Sequence, residues 1–287
     1  MSSLHFDLKE DLINFILSSG CISYIQQDKM EIRLNDGIYY KNSNTFINLF
    51  GSSKKIRNHT TALFLVFELI DIYFENRQKD IINKTYIRKL SKIKNIKLTD
   101  NILINIYKIL LIYRNCIIHH KDKIKIENSN IIASYNNKND KYTCEIEIDI
   151  INIIATISIN IICNKIKNYY DMSIARTLYD DIIKSIKVEK NGKNVLDNVY
   201  GFKLKNFYRL TYYDKNFIVG YYYIIFPIER DIKEMIKLDH FRGIDYEIYI
   251  NKILYRIPIE ALDGGVKIRK NELKKWKISS SPSTSEA

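Results

Sequence analysis

The sequence has 287 residues and a formal net charge of +12, with 45 Lys and Arg residues against 33 Asp and Glu residues. Hydrophobic residues make up 46% of the chain and charged residues 27%, which excludes a disordered chain and fits one large or two ordinary globular domains. The basic balance favours a polyanionic partner such as RNA. The abundance of Ile, Asn, Lys and Tyr is equally what an AT-rich genome imposes, so the charge leaves both interpretations open.

The cysteines are scattered and form no C-x-x-C pair, which predicts neither a zinc site nor a disulfide framework. The N-terminal residues lack a basic stretch followed by an apolar segment, so no signal peptide is expected. The longest apolar run, residues 62–74, is interrupted by Glu68 and Asp71 and is too short to span a bilayer. We therefore expect a cytoplasmic protein without a membrane partner, a metal or a cofactor.

In chain order, the hydrophobic spacing predicts helices over residues 8–17, 59–78, 81–93, 98–123, 150–169 and 173–185. Residues 131–135 and 142–148 alternate as strands do and are joined by an Asn-rich turn, which predicts a β-hairpin. Beyond residue 190 the pattern indicates strands and one helix, at 231–238. The predicted fold is therefore mainly α, with a helical domain over residues 1–188 (core about 45–185) that contains the hairpin as an insertion. A small α+β accessory domain over residues 189–278 and a disordered Ser-rich tail over residues 279–287 follow.

The central helix of residues 98–123 carries two apolar stripes. One is formed by residues at the spacing of a core-facing helix: Ile102, Ile106, Ile109, Tyr113 and Cys116. The other recurs every seven residues on the opposite side: Ile104, Leu111 and Ile118. An ideal helix with this pattern is expected to be buried on two sides.

Beside the second stripe, Arg114, Asn115 and His119 project within about 140° of one another. Arginine offers a planar fork that matches a phosphate, and histidine exchanges protons near neutral pH. Together these residue types suffice for metal-free cleavage of RNA, in which the ribose 2′-hydroxyl attacks the adjacent phosphorus. The alternative is that Arg114 and His119 only satisfy the last carbonyl groups of the helix.

At these residues, Arg114-Asn115-Cys116-Ile117-Ile118-His119, the sequence resembles the HEPN superfamily. The signature of that superfamily is an Arg and a His separated by four to six residues, usually with Asn directly after the Arg. The resemblance implies a HEPN-like helical bundle that dimerises, and the face bearing Ile104, Leu111 and Ile118 would then meet a second copy. Arg114 would contact the scissile phosphate, His119 would act as general base or acid, and Asn115 would fix the cleft geometry. His120 is either a packed histidine or an accessory base.

Most active members of that superfamily are metal-independent ribonucleases of toxin–antitoxin, abortive-infection or other antiviral-defence systems. The resemblance therefore implies an endoribonuclease acting on tRNA or mRNA, with an antitoxin protein as a further partner. The alternative is a non-catalytic HEPN-like module that binds nucleic acid or protein.

The C-terminal domain carries a second candidate RNA surface. Its tyrosines lie on predicted strands near basic residues, a pattern typical of a sheet face on which bases stack. Tyrosine is also common packing material in strands, so packing is the alternative. The residues predicted to bind RNA here are Lys203, Lys205, Arg209, Tyr213 and Tyr222.

Overall fold

A computed structural model divides the chain into two compact units that alternate along the sequence. The structure describes residues 2–18, 29–34, 37–43, 59–93, 97–205, 208–213, 217–226 and 243–278. The first unit draws on Met1–Ile25, Ile47–Lys165 and Leu178–Gly201, and the second on Gln26–Phe46, Ile166–Thr177 and Phe202–Ala287. This arrangement differs from the predicted single division near residue 188, because a strand pair early in the chain and Ile166–Thr177 both belong to the second unit.

The helices predicted before residue 190 are all present, but some of their ends differ from the prediction. The first begins at Ser2 rather than at residue 8, the third covers Tyr86–Lys92 rather than 81–93, and the fifth ends at Ile162 rather than near residue 169. The helices are α1 (Ser2–Ser18), α2 (His59–Arg77), α3 (Tyr86–Lys92), α4 (Leu98–His119), α5 (Ile150–Ile162) and α6 (Tyr169–Lys184). Helix α6 passes from the second unit to the first at Leu178. A one-turn helix, α7 (Lys270–Leu273), lies near the end of the described chain.

The strands are more numerous than the sequence predicts. In chain order they are β1 (Lys29–Leu34), β2 (Gly37–Ser43), β3 (Ile124–Glu127), β4 (Asn130–Asn137), β5 (Asp140–Glu147), β6 (Ile186–Lys190), β7 (Lys193–Asn194), β8 (Tyr208–Tyr213), β9 (Ile218–Val219), β10 (Tyr223–Ile225), β11 (Ile244–Ile250), β12 (Ile253–Pro258) and β13 (Lys267–Arg269). They form three sheets, with strand orders β3-β4-β5-β6-β7, β1-β2-β8-β11-β12 and β13-β10-β9.

The prediction of a mainly α, HEPN-like helical bundle is wrong. The predicted hairpin is present as β4 and β5, but it is the centre of a five-stranded antiparallel sheet rather than an insertion. In β4 the residues Ile131, Ala133 and Tyr135 are buried and alternate with half-buried ones, so one face of the sheet packs against the helices. Strand β6 joins the sheet only after α5 and α6, with Val188 opposite Cys144, and this long-range pairing left no local signal in the sequence.

Helix α4 is covered around most of its circumference within the first unit. Both apolar stripes contribute, because Ile102 and Ile106 are fully buried while Ile104 and Leu111 are 8% and 7% exposed. Of the second stripe, Ile118 is exposed at 45%. Two of the three residues predicted to face a second copy are thus buried inside this chain, and the homodimer itself stays a prediction. On length and composition α4 could cross a membrane, but 67% of its apolar window is buried, as in the core helix of a globular protein.

Three polar side chains anchor α4 to different neighbours. Asn105 donates to the hydroxyl of Tyr179 at 2.7 Å and to the carbonyl of Asp197 at 2.8 Å. Tyr107 donates to Asp71 of α2 at 2.5 Å. The Tyr113 hydroxyl donates to the carbonyl oxygen of Ile131 in β4 at 2.6 Å, and the carbonyl oxygen of Cys144 in β5 lies 3.2 Å from the same hydroxyl. On an ideal helix Tyr113 and Tyr107 lie about 80° and 200° from Asn105, so these bonds hold the helix from three directions.

The second unit combines the sheet β1-β2-β8-β11-β12 with the smaller sheet β13-β10-β9. Strands β8 and β11 run parallel, and the other pairs of the larger sheet are antiparallel. The predicted helix at 231–238 and the predicted disordered tail at 279–287 lie outside the described residues.

The centre of the second unit is a buried charge cluster around Arg209. The Arg209 side chain is fully buried, so the prediction that it binds RNA is wrong. Its Nε donates to Asp245 at 2.7 Å, and its two terminal nitrogens donate to the carboxylate of Glu260 at 2.7 and 2.5 Å. Tyr170 of α6 donates to the second oxygen of Asp245. Gly243 packs against the guanidinium so closely that a Cβ atom would collide with it, which explains a glycine at that position.

Replacing Arg209 should therefore destabilise the second unit rather than impair RNA binding. The substitution Arg209→Met leaves two buried carboxylates without their cation, a change that typically costs about 3–5 kcal/mol. Chemical unfolding followed by the fluorescence of Trp276, the chain's one tryptophan and a buried residue of this unit, measures the loss. The exposed Arg269→Met serves as the control. Equal unfolding midpoints for the two variants would contradict the structural role.

Candidate active site

The Arg-Asn-x-x-x-His segment occupies the last turns of α4, where the helix emerges from the core. Tyr113 and Cys116 are still buried, Arg114 and Asn115 are half-buried, and His119 is exposed. The backbone N–H of His120 donates to the carbonyl of Cys116 at 2.8 Å and closes the helix. The three predicted catalytic side chains therefore lie where a core helix first meets solvent.

The structure brings the three predicted catalytic side chains together. One terminal nitrogen of Arg114, Nη1, lies 3.4 Å from Nε2 of His119 and 3.5 Å from Oδ1 of Asn115. These separations are at the long end of hydrogen bonding, so the contacts are weak and the guanidinium can turn toward a ligand. Within the described chain, neither Arg114 nor His119 donates a side-chain hydrogen bond to a helix carbonyl, which disfavours a purely capping role.

Helix α3 supplies one wall of the site through Tyr86. The guanidinium carbon of Arg114 lies 4.5 Å from the centre of the Tyr86 ring, and Nη2 is 3.3 Å from the Tyr86 hydroxyl. Phe67 of α2 packs against the same ring in a T-shaped contact, at a centroid distance of 5.2 Å. A cation over an aromatic face is attracted by the ring quadrupole, so Tyr86 holds Arg114 without neutralising it.

A buried ion-pair cluster fixes α3 in place. Lys89, one turn after Tyr86, lies 2.5 Å from Asp71 and 2.7 Å from Glu75, both on α2. Asp71 also accepts the Tyr107 hydroxyl hydrogen bond, so α2, α3 and α4 meet at one carboxylate. The position of Tyr86 over Arg114 therefore depends on a charge pair that is itself shielded from water.

Strand β4 supplies the opposite wall through Tyr135. Asn115 donates from Nδ2 to the Tyr135 hydroxyl at 2.9 Å, while its Oδ1 faces Arg114. Burial raises the pKa of Tyr135, so its phenol stays protonated at neutral pH. The Tyr135 ring stacks on His120 at a centroid distance of 5.7 Å. Asn115 thus links the arginine to the strand.

The two walls and the end of α4 enclose an open cleft of about 330 Å³. It is lined by residues of three elements: Thr85, Tyr86 and Ile87 next to α3; Leu111, Arg114, Asn115, His119 and His120 at α4; and Tyr135, Asn136 and Asn137 on β4. The lining combines one cation, two imidazoles, two phenol rings and several amides. This combination suits a polar, anionic and aromatic ligand.

The charge of Arg114 is not neutralised at close range. In the described part of the chain no carboxylate forms an ion pair with it, and its Nε is buried without a hydrogen-bond partner. Glu68 of α2 acts on it from a greater distance. Burial and the nearby Asp71 raise the pKa of Glu68, and Arg114 opposes this shift. The cleft therefore keeps a net attraction for anions.

Other nucleophile and metal chemistry finds no support at this site. Burial raises the pKa of Cys116, in the middle of the motif, to about 11, so its thiol remains protonated and unreactive at neutral pH. Among the residues that the structure describes, no three His, Cys, Asp or Glu side chains are grouped to hold a metal ion.

The remaining predicted RNA-binding residues all belong to the second unit. Lys203, Lys205 and Tyr222 are exposed, and Tyr222 is 68% exposed beside Tyr221. The backbone of Tyr213 lies in β8, and its side chain is outside the described residues. The structure thus leaves three of these five side chains accessible to a ligand.

The residues that sequence reasoning missed lie outside the motif. Tyr86 and Tyr135 each touch a predicted catalytic residue, but one comes from α3 and the other from β4. For Tyr135 the sequence does contain a signal, because the alternation of residues along β4 places its side chain on the core-facing side of the strand. Nothing local distinguishes Tyr86 from the other tyrosines of the chain.

A comparison with protein-family models, with curated proteins and with solved structures finds no match to this chain.

Loss of the Lys89 charge should release α3. The substitution Lys89→Met leaves the buried Asp71 and the half-buried Glu75 without their cation, which typically lowers the free energy of unfolding by about 3–5 kcal/mol. The neighbouring Arg88 is exposed, and Arg88→Met should change stability by less than about 0.5 kcal/mol. Urea unfolding of both variants tests this expectation, and equal midpoints would show that the cluster does not dock the helix.

Glu68 should make stability depend on pH. Its raised pKa means that the folded state binds the Glu68 proton more tightly than the unfolded state does. The free energy of unfolding therefore falls as the pH rises from about 4.3, the pKa of Glu68 in the unfolded chain, through its higher pKa in the folded state. Above the folded pKa, the loss of unfolding free energy caused by Glu68 stays constant. We expect Glu68→Gln to be more stable than the wild type at pH 7, with a gain that disappears near pH 4.

Thermal unfolding across this pH range measures the Glu68 effect. The exposed Glu127→Gln provides the control and should track the wild type throughout. A Glu68→Gln variant that is no more stable than the wild type at pH 7, or equally stabilised at pH 4, would contradict the assigned cause.

Proposed function

We propose that this chain is an endoribonuclease that cleaves RNA without a metal ion, by attack of a ribose 2′-hydroxyl on the adjacent phosphorus. The observation that carries the proposal is the pairing of Arg114 with His119, at 3.4 Å, in an open cleft where no described carboxylate pairs with the arginine. A guanidinium and an imidazole in contact match a phosphate and the hydroxyl beside it.

In the proposed reaction Arg114 binds the non-bridging oxygens of the scissile phosphate and stabilises the charge that develops on them. His119 accepts the proton of the 2′-hydroxyl as its oxygen bonds to phosphorus, or else donates a proton to the departing 5′-oxygen. The bond from phosphorus to the 5′-oxygen breaks, leaving a 2′,3′-cyclic phosphate and a free 5′-hydroxyl. Water in the open cleft serves as the other proton carrier. Asn115 holds the arginine in register with β4.

The biological role that we propose follows from the HEPN resemblance of the motif, since the fold supplies no support for it. On that basis the enzyme acts in the cytoplasm as a toxin or antiviral-defence effector, on tRNA or mRNA, and a protein antitoxin restrains it. The net charge of +12 supports an RNA substrate by raising the local concentration of polyanions.

The proposal is tested by cleavage in the presence of EDTA. Total RNA and purified tRNA are incubated with the wild type, Arg114→Ala, His119→Ala or the control Arg88→Ala. Arg88 is an exposed arginine of α3 that does not line the cleft. We expect the wild type and Arg88→Ala to cleave with 2′,3′-cyclic phosphate ends. The two cleft variants should lose at least about 100-fold in rate, the usual loss when acid–base or charge-stabilising groups are removed.

A folded wild type that cleaves no RNA, with or without added divalent cations, would contradict the enzyme and favour a binding module. Arg114→Ala or His119→Ala cleaving as fast as Arg88→Ala would instead contradict the residue assignment. Thermal unfolding of every variant shows that each loss of activity occurs in a folded protein.

A further inference from the structure

Three rings form a column beside the reactive groups. His120, Tyr135 and Tyr142 have successive centroid distances of 5.7 and 5.1 Å and interplanar angles of 13° and 12°. Tyr135 and Tyr142 are directly opposite each other on β4 and β5, so the sheet register sets the column. Tyr135 therefore stacks with one ring at the end of α4 and with another on β5.

The two ends of the column differ. Tyr142 carries the ammonium of Lys190 at 5.6 Å from its ring centre, so a cation covers that end. His120 forms the other end and lines the cleft together with Arg114 and His119. Its contact with the His119 ring is edge-on, with centroids 6.3 Å apart at 68°. Among the described residues no hydrogen bond fixes the His120 imidazole, and the side chain is half-buried and lines the cleft.

Amide groups lie next to the open end of the column. Asn136 and Asn137 follow Tyr135 on β4, are exposed, and line the same cleft. Because strand side chains alternate, Asn137 shares the face of Tyr135. No described residue forms a hydrogen bond with its side-chain amide, whereas Asn115 uses its amide on both sides. Asn137 thus presents a free donor and a free acceptor at the cleft.

We propose that His120 is the stacking platform for one nucleobase of a single-stranded RNA, and that Asn137 hydrogen-bonds the edge of that base. A base stacked on His120 extends the column of rings to four and leaves its sugar and phosphate beside Arg114 and His119. A base that reaches the half-buried His120 ring has to be unpaired, which favours single-stranded or looped RNA as the substrate. This inference rests on the proposed function for the identity of the ligand and assigns His120 to binding rather than to proton transfer.

Fluorescence of 2-aminopurine tests the stacking directly, because stacking quenches it. The probes are uncleavable 2′-O-methyl RNA heptamers, each with 2-aminopurine at a different position. They are titrated with the wild type, His120→Phe, His120→Gln and Asn137→Ala. Asn139→Ala is the matched control, since Asn139 is an exposed asparagine of the same hairpin that does not line the cleft. Thermal unfolding confirms that each variant is folded.

We expect quenching at one position with the wild type, with His120→Phe, which keeps a ring, and with Asn139→Ala. His120→Gln should lose the quenching and bind roughly 5- to 150-fold more weakly, the range found for removing one base–aromatic stack. Asn137→Ala should keep the quenching but bind more weakly. A duplex of the same sequence should compete poorly.

Equal quenching by the wild type and His120→Gln, no quenching by the wild type, or equal competition by the duplex would overturn the proposal. The result is separable from the proposed function, because these oligonucleotides cannot be cleaved. A wild type that quenches but never cleaves natural RNA would refute the ribonuclease and retain the base-binding site.

Discussion

The first unit depends on one constraint, which is that α4 is apolar around most of its circumference and has to be covered on every side. A helix of this kind is stable only inside a core. Here α2 covers one side and the sheet containing β4 and β5 covers another. Each buried polar group of α4 would lower the free energy of unfolding if it were left without a hydrogen-bond partner. Asn105, Tyr107 and Tyr113 each find a partner on a different neighbour, so these bonds also fix the rotation of the helix.

The candidate site follows from the way α4 leaves that core. After Tyr113 the helix reaches the edge of the covering layers, so its next polar residues are neither buried nor fully solvated. Residues 114 and 115 point about 100° apart. One therefore meets Tyr86 on α3 and the other meets Tyr135 on β4. The cleft is thus the gap between two layers that pack on the same helix, and its geometry is as rigid as that packing.

Much of the local structure could be predicted from the sequence, and most of the long-range structure could not. The span of α2, the hairpin of β4 and β5, and the proximity of Arg114, Asn115 and His119 all follow from periodicity, which is a local property. Of the second apolar stripe of α4, Ile104 and Leu111 are buried by the chain itself, whereas Ile118 is exposed. Periodicity predicts that a helix face is buried, but it does not identify the element or the chain that buries it.

The same limit explains the errors in the second unit and the residues missed at the site. Arg209 looks like any basic strand residue until Asp245 and Glu260 are brought to it from distant segments. Tyr86 and Tyr135 likewise gain their roles only through packing. The sequence separation of such partners exceeds any helical or strand period, so no local pattern records them.

Comparison of the arginines separates the structural ones from the candidate functional one. Arg77 pairs with Asp100 at 2.5 Å, Arg209 pairs with Asp245 and Glu260, and Arg256 pairs with Glu247. Each is paired with a carboxylate, which is how proteins normally retain a buried cation such as Arg209. Arg114 is half-buried, and among the described residues its side chain contacts a phenol, an amide and an imidazole rather than a carboxylate.

That arrangement lowers stability relative to a paired arginine, because desolvation of the guanidinium is only partly offset by the Tyr86 ring. Departures of this kind from local energetic consistency are concentrated at functional sites. An anion that enters the cleft would supply the missing charge partner and could recover part of the lost solvation. A phosphate is large enough to contact Arg114 and His119 at once, since the two side chains already lie 3.4 Å apart. The unpaired charge of Arg114 is therefore best understood as half of an ion pair whose other half arrives with the ligand.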